Sequence, residues 1–203
     1  MLESRVELHW IPLGAGDGSR CVGWNGRVFE KLSVRHQDRL PCGLYHSALI
    51  VHSDGVRYTI EMAPEWTGSG NRGVVCTGPV GLQGLGRSRW FRYEIRRWQD
   101  GTIPDLAEEH GAPVNVATDP ERARCLLDLV PTFPTATWGR DEQRAGEMWN
   151  SNSLISWLLV SSGHDISMIH FPVSGRAPGW DAGVVVARRQ ITLPVHDRSA
   201  SAP

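Results

Sequence analysis

Apolar and polar positions along the chain follow two rhythms, and the switch between them predicts where strands give way to helices. Val6 to Pro12 alternates weakly and reads as a strand. Leu44 to His52 (Leu-Tyr-His-Ser-Ala-Leu-Ile-Val-His) is the strongest strand pattern. Ser53-Asp54-Gly55 is a hairpin signal after it, and Val56 to Met62 is the returning strand. Val74 to Thr77 reads as a short strand, and Trp90 to Trp98 alternates in the manner of a half-exposed one. Helical spacing appears from Val28 to His36, from Thr118-Asp119-Pro120-Glu121 through Leu126, Leu127 and Val130, and from Asn150-Ser151 to about Ser161. The β-branched run Val184-Val185-Val186, within Trp180 to Ala187, predicts a last strand. Gly14 to Gly18, Pro64 to Gly73, Gly78 to Ser88 and Pro131 to Gly146 read as connections. These elements predict an α+β fold, a mostly antiparallel sheet with packed helices, in a single domain over residues 1–192. The tail from Leu193 to Pro203 has little to bury and is expected to be loose.

Composition changes this picture in few respects. The 203 residues are 40% hydrophobic, enough for one domain with a sizeable core. A net charge of −1 gives no general pull towards nucleic acid, and no apolar run reaches membrane-spanning length. The first residues carry no signal-peptide core, which predicts a cytoplasmic chain. Cys21, Cys42, Cys76 and Cys125 are scattered with no Cys-x-x-Cys pair, so a zinc ribbon is not expected and reduced thiols are. His46 and His52 lie six residues apart on one strand, roughly 20 Å, too far to share an ion. No metal and no cofactor is expected. The nine tryptophans predict a core rich in indole, with some left over for a groove or a partner surface.

The candidate chemistry centres on Met148 to Leu159, Met-Trp-Asn-Ser-Asn-Ser-Leu-Ile-Ser-Trp-Leu-Leu. Four small polar residues run straight into an apolar helical pattern, which marks a helix N-terminus. Such a terminus carries partial positive charge and favours a developing anion. Ser151 is therefore a candidate nucleophile, with Asn150, Asn152 and Trp149 as candidate substrate and oxyanion contacts. Asn150 or Ser151 acting simply as the N-cap is the plainer alternative. His46, near the start of the best strand, is a candidate base. Glu61, on the returning strand and about level with it, is the candidate group to orient the ring and raise its basicity.

A histidine opening a strand, a hairpin, and much later Asn150-Ser151-Asn152-Ser153-Leu154 at a helix start together resemble the circularly permuted papain-like superfamily. That group includes lecithin:retinol acyltransferase-like and PPPDE-like proteins. The resemblance covers about residues 44 to 62 and 148 to 160. It implies a small antiparallel sheet with the nucleophile's helix packed on it, and acyl cleavage or transfer on a peptide, protein or acyl substrate. In the family the nucleophile is a cysteine; here Ser151 stands in its place. A hydroxyl is a poorer nucleophile than a thiol and needs its base throughout the attack. Two versions follow: a serine nucleophile working with His46, or a fold that has kept its groove as a non-catalytic partner-binding module. A third reading starts from Gly14-Ala15-Gly16-Asp17-Gly18, which resembles a glycine motif of nucleoside-binding methyltransferases. It requires a doubly wound parallel sheet, which the order of elements does not predict.

Overall fold

A computed structural model describes residues 4–12, 43–65, 72–103, 112–173 and 175–192. Among the described residues, seven strands and three α-helices follow in chain order: β1 (Arg5–Pro12), β2 (Gly43–Ser53), β3 (Val56–Pro64), β4 (Val74–Pro79), β5 (Arg92–Gln99), β6 (Val114–Val116), α1 (Pro120–Leu129), α2 (Ser151–Ser161), β7 (Gly175–Arg176) and α3 (Trp180–Thr192). The sheet order is β4-β5-β3-β2-β1-β6, antiparallel at every step, with β7 joining β2 in parallel. The α+β expectation holds, and a doubly wound parallel sheet is excluded. The predicted helix at Val28 to His36, the glycine segment 14–18 and the tail 193–203 lie outside the described residues.

The hairpin forms where the sequence signals it. Asp54 and Gly55 both take positive φ, 52° and 80°, as a two-residue turn matched to the strand twist requires. Ser53 then faces Val56 and Leu49 faces Ile60. Side-chain alternation sorts β2 into two faces. Tyr45, Leu49 and Val51 join Val6, Leu8, Trp10, Ile60, Met62 and the helices in the main core. Ala48 packs instead with Ile11 and Ile103 on the opposite face.

The helix at α1 is capped by Asp119, which accepts from the Arg122 N–H at 2.8 Å, with Pro120 in the first turn. Arg97 of β5 donates to the Leu127 carbonyl at 2.7 Å and ties α1 to the sheet. The helix α2 is buried on nearly every side, because the sheet covers one flank and α3 the other. Ser153 and Ser156 donate to the carbonyls of Gly179 and Trp180, at 2.8 and 2.7 Å, where α3 begins. Gly183 permits that approach: a Cβ there would meet the Ser156 hydroxyl and the Ser153 carbonyl. Trp157 is buried, stands edge-on to Phe133, and donates to Gln190 of α3 at 2.8 Å.

Two sequence expectations are corrected. Trp180 to Ala187 is helix, not strand. Its three valines fall on a helix whose inner face (Ala182, Gly183, Val184, Val186, Ala187) packs against the small-residue side of α2, and this burial overrides the β preference of the run. The Trp90 to Trp98 strand starts later, at Arg92, since Arg89–Phe91 is a single 3-10 turn.

Candidate functional site

The tip of α2 meets β2 at the point where β3 has left it. The β2–β3 ladder ends at Leu49↔Ile60, while β1 continues to pair along β2 to Tyr45. Asn152 docks in this region. Its amide donates to the Tyr45 carbonyl at 3.0 Å and to the Pro178 carbonyl at 2.9 Å, and its side-chain oxygen accepts from the Ser47 hydroxyl at 2.8 Å. Tyr45 and Ser47 are the two neighbours of His46, so the helix tip is fixed at the level of His46.

Asn150 is the N-cap. Its side-chain oxygen accepts from the N–H groups of Asn152 and Ser153, and its amide donates to Pro178 at 2.7 Å. Ser153 closes the reciprocal half of a capping box by accepting from the Asn150 N–H. The Leu154 N–H goes to the Asn150 carbonyl. Among the described residues, neither the Ser151 hydroxyl nor its N–H has a hydrogen-bond partner, although Ser151 is only 4% exposed. Every other N–H of the first turn is used.

His46 is half-buried, and desolvation pushes its imidazole down to about 4. Its ring makes no hydrogen bond among the described residues and is not bonded to Ser151. Strand alternation sends its side chain to the Ala48 face, away from Ser47 and Asn152. The structure thus brings the backbones of His46 and the α2 tip together without joining the two side chains.

Three sequence expectations need correction. Glu61 does not orient His46. Continuing the hairpin register puts Glu61 level with Ala48, and its carboxylate pairs with Arg96 at 2.7 Å. Arg96 also pairs with Glu94 at 3.0 Å, and Arg72 grips the same Glu94 at 2.6 Å. This cross-strand ladder of buried charges is absent from the sequence reading, because acids and arginines on alternate strand positions look like a solvated face. Asn150 and Asn152 do not offer free amides to a substrate, since their side-chain groups are spent on the cap, β2 and Pro178. Trp149 does not line a groove: it is buried, stacked on Phe133 at 4.8 Å, and donates to the Pro134 carbonyl at 2.8 Å.

Ser47 and Glu147 were not singled out in the sequence. Ser47 is visible as the residue after His46 and therefore on the opposite, helix-facing side. Glu147 accepts from the Gly179 N–H at 2.7 Å and braces the loop that holds both asparagines; burial raises its carboxyl above the ordinary range. The neighbouring chemistry is sparse. Burial pushes the Cys76 thiol up to about 11, which leaves it protonated and unreactive at neutral pH. Among the described residues there is no group of three His, Cys, Asp or Glu placed to hold a metal ion, and no helix long and apolar enough to cross a membrane. Comparison of the chain with protein-family models, with curated proteins and with solved structures finds no match.

Proposed function

We propose that the tip of α2 is an acyl-transfer site acting on an amide or ester, with Ser151 as nucleophile and His46 as its base. The observation that carries this reading is the unpaired hydroxyl and N–H of Ser151, at a helix tip where the groups around them are spent. In the proposed step the Ser151 Oγ bonds to the substrate carbonyl carbon and its proton passes to His46. The carbonyl oxygen becomes an oxyanion that the Ser151 N–H and the helix N-terminus receive. Collapse breaks the bond to the leaving amine or alcohol, which takes the proton from His46. Water or an acceptor nucleophile then releases the acyl group. At neutral pH His46 is unprotonated, the form a base needs; its ring lies on the sheet face opposite the α2 tip, so the step requires β2 itself to rearrange about His46 when substrate binds.

A second reading is favoured by one observation. With its imidazole lowered to about 4 and no carboxylate bonded to it, His46 is a weak base. On that reading the same tip is a non-catalytic partner-binding element. Labelling with a fluorophosphonate, mapped by mass spectrometry, separates the two. The catalytic reading expects the adduct on Ser151, lost in both Ser151→Ala and His46→Ala. A folded wild-type chain that stays unlabelled, or an adduct that persists in Ser151→Ala, sinks it and leaves the binding module.

A further inference from the structure

The connection between β4 and β5 exposes apolar side chains on short turns. From Leu82 to Phe91 it makes two short 3-10 turns, and none of the turn residues is buried. It carries four large apolar side chains, all exposed: Leu82 at 54%, Leu85 at 40%, Trp90 at 62% and Phe91 at 44%. Its charged residues are Arg87 and Arg89, and no acid occurs from Val80 to Phe91. Arg89 lies over the Trp90 ring at 5.5 Å. Glu65 is the acid near Arg89, and it is already held by two bonds to Arg92. Neither Arg87 nor Arg89 forms a salt bridge among the described residues. At the base of the segment, Asp141 and Glu142 spend their oxygens on Ala145, Gly146 and Thr137.

We propose that Leu82–Phe91 is a peripheral docking element for an anionic lipid surface, with Trp90, Phe91, Leu82 and Leu85 entering the headgroup boundary and Arg87 and Arg89 meeting lipid phosphates. Two arguments select this occupant. Within the segment the charge is one-signed, and neither Arg87 nor Arg89 is held in an ion pair, so both are available to anionic headgroups even though the whole chain is near neutral. The apolar side chains sit on two successive turns with no buried side. A rigid protein partner needs a pocket shaped for each anchor, whereas the fluid headgroup boundary takes exposed apolar side chains without one. Tryptophan with arginine is the pairing that such an interface favours, one end apolar and the other wet.

The test uses the full chain and co-sedimentation with vesicles of phosphatidylcholine alone, or with about a third phosphatidylglycerol. The chain is expected to pellet with the anionic vesicles and stay in the supernatant with the neutral ones. Binding should fall about tenfold in Arg87→Glu/Arg89→Glu and in Trp90→Ser/Phe91→Ser, both folded as wild type by thermal melt. Brominated phosphatidylcholine mixed into the anionic vesicles should quench wild-type tryptophan fluorescence, a readout that depends on no variant. Failure of the wild type to pellet, or undiminished pelleting of both variants, overturns the proposal. So does binding of poly-glutamate through the same four positions with vesicles left unbound, which would assign the surface to an acidic protein partner.

Discussion

The two faces of the sheet around β2 and β3 are built on different physics. The helix face is apolar and interlocked: Leu49, Val51, Ile60 and Met62 meet α1 and α2, and Ser47 and Asn152 satisfy each other where the helix tip docks. The opposite face carries a ladder of buried charges, Glu61–Arg96–Glu94–Arg72, beside the small apolar group of Ile11, Ala48 and Ile103. The first face is stabilised by area removed from water, the second by charges each of which would be costly alone. Packing losses should therefore dominate on one side, and loss of a single partner on the other.

The largest effects are expected from breaking either face at its centre. Trp149→Ala removes a fully buried ring stacked on Phe133 and should cost about 3 to 5 kcal/mol in a denaturant melt. Arg96→Ala removes the buried cation between Glu61 and Glu94 and should cost a similar amount, about 3 to 5 kcal/mol. The comparison sharpens with a double change. Arg96→Met with Glu61→Gln removes one charge pair together, leaves Glu94 held by Arg72, and should recover much of the loss, whereas no second substitution of that kind restores Trp149→Ala. Equal, unrecoverable losses on both faces would mean that the charge ladder contributes by packing.

The pH dependence comes next in size. The His46 imidazole falls from 6.5 to about 4 in the fold, so the folded state holds the ring neutral while the unfolded chain protonates it. Its contribution to stability is complete above pH 6.5 and is lost as the pH falls towards 4, by on the order of 3 kcal/mol. Stability measured against pH in wild type and in His46→Leu should diverge over that window. Parallel curves would show that the ring is solvated. If the site is catalytic, the same shift keeps the base unprotonated at pH 5, so the acid limb of kcat/KM should lie near pH 4.

Smaller again is the tie at the α2 tip. Asn152→Ala deletes the bonds to Tyr45, Ser47 and Pro178 and should cost about 1 to 3 kcal/mol. Under the proposed function it should also slow fluorophosphonate labelling of Ser151, because the tip is no longer held level with His46. A loss of stability with an unchanged labelling rate would separate the tie from the chemistry.

Much of the architecture is written locally. Asp54-Gly55 specifies the hairpin because two adjacent positive φ angles suit few other pairs. Asp119-Pro120 and Asn150 specify the starts of α1 and α2, because a cap is a contact between residues two or three apart. The strand–helix boundaries of the middle of the chain follow from period alone. What the tertiary structure decided are matters of partner. Val184-Val185-Val186 carries a strand preference, yet α2 lies where only a helix with Gly183 inward can pack. Glu61 has the right parity to share a face with His46, but Arg96 of β5 takes its carboxylate, and nothing near Glu61 in the chain announces that strand. Asn150, Asn152 and Trp149 have the side chains of a binding site and are consumed by β2, Pro178 and Phe133. Local conformation is set by neighbours in sequence, whereas the fate of a polar group is set by whichever distant group reaches it first. Ser151 is the group at the α2 tip that, among the described residues, none of them reaches.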